Sequence, residues 1–136
     1  MEDEISRILE SIKNVYIPSF EEITRKNNDI INELFDKYLN YKQNIINKEN
    51  ANKIIDGYQY IKYDNIVLGD YIKYFDNTYF YDVNIKNAGF VLSKKNGELL
   101  IKNKHIFKLK NKYYFRKLTD EDKAKITLTE IINNKN

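Results

Sequence analysis

Residues 90–101 read FVLSKKNGELLI, and this stretch decides the fold. Asn96 and Gly97 both tolerate the positive φ that a type I′ turn requires, so they predict a two-residue hairpin loop. Counted outward from that loop, the predicted pairs are Lys95 with Glu98, Ser93 with Leu100, and Leu92 with Ile101. The hairpin therefore places Leu92 and Ile101 together on one face of a sheet.

Short segments rich in Ile, Val, Tyr and Phe surround this hairpin from Tyr58 onward. Residues 76–78 (Asp-Asn-Thr) interrupt an aromatic run and predict a turn, and Asn111 predicts another between strands near 104–109 and 113–118. About five short strands joined by tight turns, without a crossover helix, favour closure of the sheet. We expect a small antiparallel barrel over residues 57–118.

Residues 1–56 are expected to form a helical region, either a helical hairpin or one long helix. Ile5, Ile8, Leu9 and Ile12 make an apolar stripe at helical spacing. Pro18 ends this first helix, and Ser19 with Glu22 forms a capping box for a second. Its apolar spacing continues to residues 47–48, which corresponds to about 40 Å.

The second helix contains the predicted protein interface. Ile23, Asn27, Ile30 and Leu34 fit two coiled-coil heptads, with Asn27 in the seam. The interface residues of this prediction are Ile23, Ile30, Leu34, Tyr38 and Tyr41. The same stripe can instead pack on the first helix and on the following domain, so self-association is one of two interpretations.

Residues 119–136 predict a C-terminal helix and a frayed tail. Thr119 and Asp122 resemble a capping box, and acidic residues occupy the first turn. The predicted apolar face consists of Ala124, Leu128, Ile131 and Ile132. The expected fold class is therefore α+β, with three consecutive regions at 1–56, 57–118 and 119–136.

The sequence contains no recognisable catalytic centre. It has no Cys, its single histidine, His105, is expected to be a surface or half-buried packing residue, and no serine lies in a nucleophile elbow. Each glycine is explained by a turn or a bulge, and no phosphate-binding glycine pattern occurs. Asp64, Asp70, Asp76 and Asp82 recur every six residues, but Asp at the ends of short strands gives the same period. We therefore expect no enzyme activity, no cofactor and no metal site.

The chain is expected to be an intracellular soluble protein. No apolar stretch approaches the roughly 20 residues that a membrane-spanning helix needs. The first residues, Met-Glu-Asp-Glu, are acidic, opposite to the start of a secretory signal.

Positive charge is concentrated in one segment. Residues 83–118 contain ten basic side chains and one acid, Glu98, although the whole chain has a net charge of only +3. The basic residues are Lys86, Lys94, Lys95, Lys102, Lys104, Lys108, Lys110, Lys112, Arg116 and Lys117. Alternation with apolar residues predicts one basic and one apolar sheet face. The basic face either attracts phosphates or is only a solvated surface of a lysine-rich chain.

Two local patterns resemble known families. Residues 66–75, with Gly69-Asp70 before an alternating strand, resemble a strand of SH3-like barrels of the Tudor and KOW type. Residues 69–122 resemble small uncharacterised proteins of nucleocytoplasmic large DNA viruses. The second resemblance implies a virus-encoded protein, found in the virion or the host cytoplasm.

The sequence thus favours a non-enzymatic structural or protein-interaction component, virus-encoded and part of a larger assembly. The alternative is a nucleic-acid-binding module that uses the basic face without reading base sequence. A third interpretation is an aromatic cage for a methylated lysine or arginine. Its candidate rings are Tyr58, Tyr60, Tyr63, Tyr71, Tyr74, Tyr79 and Tyr81.

Overall fold

The computed structural model describes residues 2–38, 41–79 and 83–134, with side chains left out at residues 2 and 41–46. The described helices are α1 (Glu2–Ser11), α2 (Phe20–Tyr38), α3 (Tyr41–Ile54) and α4 (Asp120–Asn134). The strands are β1 (Tyr58–Ile61), β2 (Tyr71–Asp76), β3 (Asn84–Lys95), β4 (Glu98–Lys102), β5 (Ile106–Lys110) and β6 (Tyr113–Lys117). This arrangement confirms the predicted α+β class and the C-terminal helix.

The six strands form one antiparallel sheet in the order β1-β6-β2-β3-β4-β5. The SH3-like barrel is not confirmed, because the sheet is open, with β1 and β5 at its edges. It is nevertheless strongly curled. Only Asn111 and Lys112 link β5 to β6, so Lys110 and Tyr113 lie within about 11 Å of each other. In a flat sheet the four strand spacings between β5 and β6 would require about 19 Å.

The central hairpin confirms most of the predicted register. Lys95 pairs with Glu98 and Ser93 with Leu100, and Asn96 and Gly97 both have positive φ. The predicted pairing of Leu92 with Ile101 is wrong, because β3 contains a bulge between Val91 and Ser93 and Ile101 pairs with Val91. Leu92 is therefore 41% exposed, whereas Ile101 is fully buried.

The predicted long helix is also wrong. Lys48 Nζ in α3 lies 2.6 Å from Asp36 Oδ1 in α2, although twelve positions along one helix correspond to about 18 Å. The two helices therefore pack against each other as a hairpin, and residues 39–40 lie outside the described residues. The first helix also ends early, at Ser11 rather than near Pro18. The capping contact is present, since Glu22 N donates to Ser19 Oγ at 3.1 Å.

Two clusters of buried side chains lie on opposite faces of the sheet. The helix-side face is the one that α2 and α3 cover, and here Ile31, Phe35 and Ile55 pack against Phe75 and Phe115. On the opposite, inner face the curled sheet packs against itself. Its buried residues are Ile66, Ile72, Ala88, Val91, Leu99, Ile101, Leu109 and Tyr114.

Helix α4 is fixed to the end of β6. Thr119 N donates to Asp122 Oδ2 at 2.8 Å and Asp122 N donates to Thr119 Oγ1 at 3.1 Å, which confirms the capping box. Arg116 on β6 contacts the same carboxylate at 3.0 Å. The predicted apolar face is partly wrong, because Ile126 is the buried residue of this helix and Ile131 and Ile132 are 48% and 44% exposed.

Asp76 at the end of β2 is a buried carboxylate with several partners. Its Oδ1 accepts hydrogen bonds from Thr78 N at 3.0 Å and Thr78 Oγ1 at 2.6 Å. Strand β2 ends here as predicted, but the connection to β3 continues to residue 83 and is longer than the predicted turn of residues 76–78. Lys86 Nζ on β3 lies 3.0 Å from Oδ2, and Lys112 Nζ lies 3.9 Å from Oδ1. Burial alone would raise the pKa of Asp76, but the contacts with Thr78 and Lys86 outweigh it and lower the pKa from 3.8 to about 2.

Because the pKa is lower in the folded state, Asp76 stabilises the protein above pH 4, and this stabilisation is lost as pH falls toward 2. We expect it to be about 2 kcal/mol at neutral pH. Urea unfolding of the native protein and of Asp76→Asn should show the largest stability difference near neutral pH and a small one near pH 2. An equal difference at both pH values would contradict this assignment.

Candidate nucleic-acid interface

The helix hairpin covers only part of the helix-side face. In β2 and β6 this face is buried at Phe75 and Phe115. Over strands β3, β4 and β5, at the other end of the sheet, the same face is exposed to solvent. Phe90 on β3 and Ile106 on β5 are 54% and 59% exposed. The open area spans three neighbouring strands, β3, β4 and β5.

The register fixes which residues lie side by side in this open area. The paired residues form three rows, each running from β3 through β4 to β5. The rows are Phe90–Lys102–Ile106, Ser93–Leu100–Lys108 and Lys95–Glu98–Lys110. We call this surface the basic face, and it consists of Phe90, Leu92, Ser93, Lys95, Glu98, Leu100, Lys102, Ile106, Lys108 and Lys110. It has four lysines and one acid.

The ten basic residues named from the sequence divide into two groups. Six of them are exposed: Lys95, Lys102, Lys104, Lys108, Lys110 and Lys117. Four of these form the lysines of the basic face. Lys104 lies in the loop between β4 and β5, and Lys117 lies at the end of β6, with its Nζ 6.0 Å from the centre of the Tyr71 ring.

The other four basic residues are tied to groups of the same chain. Lys86 and Lys112 lie near Asp76. Lys94 Nζ donates to the carbonyl oxygens of Asp64 and Ile66 at 2.8 and 3.1 Å, and Arg116 contacts Asp122. These four side chains support the fold, and none lies on the basic face.

The prediction of one apolar and one basic sheet face is wrong. Phe107, Leu109 and Tyr114 do face inward, but Phe90, Leu92 and Ile106 lie among the lysines and are exposed. The physical reason is that the inner face is already filled by the intervening residues of each strand, such as Val91 and Ile101. The result is a mixed face of lysine and exposed apolar side chains.

Phe90 is held by an aromatic neighbour. The rings of Phe90 and Tyr71 are 4.9 Å apart with an angle of 77° between their planes, an edge-to-face contact. Lys117 lies near Tyr71, and Lys102 is the strand partner of Phe90. Sequence reasoning missed this pair, because Tyr71 and Phe90 come together only through the register of β2 with β3.

Several rings proposed for the aromatic cage are in contact with lysines of the same chain. Lys73 Nζ lies 4.7 Å from the centre of the Tyr58 ring and Lys94 Nζ 4.9 Å from that of Tyr63. Burial, with a smaller contribution from Lys117, lowers the pKa of Lys73. A methylated ligand would have to displace these internal cations. Tyr81 lies outside the described residues.

The predicted protein interface lies mostly inside the chain. Ile23 and Leu34 are 6% and 2% exposed, and Ile30 packs against the core. Tyr38 is more than one third exposed, and its ring centre lies 5.7 Å from that of Phe75. The side chain of Tyr41 lies outside the described residues.

Asn27 has a role that the heptad pattern did not predict. Its Nδ2 donates to Tyr58 O, and Tyr60 N donates to its Oδ1, both at 2.9 Å. It thereby satisfies two backbone groups on the free edge of β1.

The remaining sequence candidates within the described residues lie in loops and at strand ends. His105 is exposed in the loop before β5. Asp70 Oδ2 accepts a hydrogen bond from Val67 N at 2.9 Å, as expected of a turn residue, and Asp82 lies outside the described residues. Among residues 2–38, 41–79 and 83–134, no three His, Asp or Glu side chains are grouped so that they could hold a metal ion.

No family model, curated protein or solved structure matches this chain. Among the described residues, no helix has the length and apolar character needed to cross a membrane.

Proposed function

We propose that this chain is a non-enzymatic module that binds nucleic acid through the basic face without reading base sequence. The observation that carries the proposal is the placement of Lys95, Lys102, Lys108 and Lys110 on three adjacent strands of one open face. Glu98 is the only acid among them. Lysines held in such an array can neutralise several neighbouring phosphates at once.

Lack of base-sequence discrimination follows from the side chains available. Arginine is the usual reader of base edges, because its planar group donates two parallel hydrogen bonds. The one arginine of residues 83–118, Arg116, is 18% exposed and is engaged by Asp122. Lysine acts as a point charge and contacts phosphate without selecting a base.

The assembly role expected from the sequence depended on the apolar stripes of the helices, and most of its named interface residues lie in α2. The stripe of α2 is covered by α3 and the sheet, and Ile31 and Phe35 at its centre are fully buried. A protein partner could reach it only by displacing the core. The nucleic-acid interpretation uses side chains that are already in water, so it becomes the preferred one. We retain a viral source as part of the proposal, on the resemblance of residues 69–122.

A salt titration tests the proposal. If the lysines of the basic face neutralise about four phosphates, log K should fall with log salt with a slope of about −3 for a single strand. Affinity should then drop about 60-fold between about 50 and 200 mM KCl. Fluorescence anisotropy of a labelled oligonucleotide of about 12 residues measures this directly.

Oligonucleotides of different base sequence serve as the control and should bind with affinities within about threefold of one another. Undetectable binding at about 50 mM KCl, where the electrostatic contribution is strongest, would refute the proposed function. Strong binding that does not respond to salt would refute it as well.

A further inference from the structure

The centre of the basic face contains more apolar surface than phosphate binding requires. Phe90, Leu92 and Ile106 are 54%, 41% and 59% exposed. Leu100 lies between them on β4 and is half-buried. Phosphate contacts need only the lysines, so these apolar side chains point to a second kind of contact, with an apolar part of the ligand.

Phe90 is the best-positioned of these apolar groups. Its edge-to-face contact with Tyr71 restricts the ring while more than half of the residue remains in water. Its backbone is fixed by the pairing with Lys102 and Tyr71. A ring held in one orientation loses little entropy when a flat ligand stacks on it.

We propose that the basic face selects single-stranded over double-stranded nucleic acid, with an unpaired base stacking on Phe90. This inference rests on the proposed function. Lys102, directly across the strand pair from Phe90, and Lys117, beyond Tyr71, would hold the phosphates on either side of that base. Leu92 and Ile106 provide apolar surface for its neighbours.

A duplex cannot make the same contacts. Its bases are stacked on one another, and a protein reaches their edges only with an element narrow enough to enter a groove, such as a helix or a two-stranded β-ribbon. The basic face is broader, since it spans the three strands β3, β4 and β5. The basic face is a sheet surface, and its strands β4 and β5 are only five residues long. A duplex would therefore contact the lysines alone, whereas a single strand contacts both lysines and Phe90.

The chain contains no Trp, so a Phe90→Trp variant introduces a single fluorescent reporter at the proposed contact. We expect oligo(dT) to quench its fluorescence strongly and duplex DNA of the same length to quench it weakly, because quenching requires stacking. The matched control is Val15→Trp, at a residue that is 56% exposed and lies between α1 and α2. Its fluorescence should not respond to either ligand.

Phe90→Ala and Phe90→Leu complete the test, and neither should disturb folding because the side chain is exposed. Both should weaken oligo(dT) binding about 5- to 150-fold, the range for loss of one stacked base, and change duplex binding less than about twofold. Leucine at this position should not restore oligo(dT) affinity, because its side chain is apolar but has no ring on which a base can stack.

Three results would overturn the inference. One is equal affinity of the native protein for single strand and duplex. Another is an equal loss for both ligands in Phe90→Ala. The third is binding of polyglutamate as tightly as oligo(dT), which would indicate an acidic protein partner. In the first two cases the nucleic-acid function stands and only strand selection fails, whereas absence of any binding at low salt defeats both.

Discussion

Replacing Lys102, Lys108 and Lys110 together by glutamate is expected to lower oligonucleotide affinity at least about 100-fold at moderate salt. Each change removes one attraction to phosphate and adds one repulsion. The three side chains are exposed, so thermal unfolding should be nearly unchanged. Anisotropy titrations against the same labelled oligonucleotide measure the loss.

The matched control is the triple replacement of Lys26, Lys53 and Lys123 by glutamate. These lysines are also exposed but lie on α2, α3 and α4, and the change in net charge is the same. We expect affinity to fall less than about fivefold, because charges beyond a Debye length are screened. Equal losses in the two triple variants would mean that overall charge, and not the basic face, drives binding.

The second large effect is expected from Gly89→Ala. Gly89 has φ of +145°, and an added Cβ would lie 2.9 Å from the carbonyl carbon of Lys102 and 3.2 Å from Asn103 Cβ. Backbone atoms of two strands would have to separate next to the Phe90–Lys102 pair. We expect a loss of about 3 kcal/mol or more in the free energy of unfolding, measured by urea denaturation.

The loss at Gly89 has two causes, the backbone strain of a side chain at positive φ and the clash of the added Cβ with Lys102. Gly69→Ala separates them. Gly69 also has positive φ, +92°, but nothing lies within 4 Å of an added Cβ. Its cost should be confined to backbone strain, about 1–2 kcal/mol. If both variants lose the same stability, the close approach of β3 and β4 at Gly89 is not as tight as described.

Local chemistry made part of this fold predictable. Asn96-Gly97 specifies a turn whose two residues both need positive φ, and the pairs nearest the turn follow from it. The capping box of Thr119 and Asp122 is equally local, since both hydrogen bonds form within one helical turn. The concentration of positive charge in residues 83–118 also predicted exposed basic side chains, since six of the ten lysines and arginines in this segment are exposed.

Other features depend on contacts that a single segment does not contain. The bulge at Leu92 shifts the strand by one residue, and a count based on strict alternation cannot detect it. Asn27 fits a coiled-coil seam by spacing, but its partners Tyr58 and Tyr60 lie on a strand about thirty residues away. The apolar spacing of α2 continues toward α3, so periodicity alone did not reveal the reversal that the Asp36–Lys48 contact demonstrates.

The candidate site was likewise only partly predictable from the sequence. The lysines of the basic face could be named from sequence, because they lie in the one segment where positive charge is concentrated and Lys108 and Lys110 alternate along β5. Ile106 could be placed beside them, because it shares its strand parity with Lys108 and Lys110. The exposed position of Phe90 could not be predicted, since apolar residues in strands are ordinarily assigned to the core. Which face of the sheet is filled by buried side chains depends on the curl of the whole sheet.

The most direct test of the central claim is an amide chemical-shift titration of the isotopically labelled native protein with oligo(dT) at low salt. The account predicts that the shifted amides belong to residues 90–95, 98–102 and 104–110, with Tyr71 and Lys117 at the margin. Shifts confined to the helices α1, α2 and α4, or no shifts at saturating oligonucleotide, would contradict it.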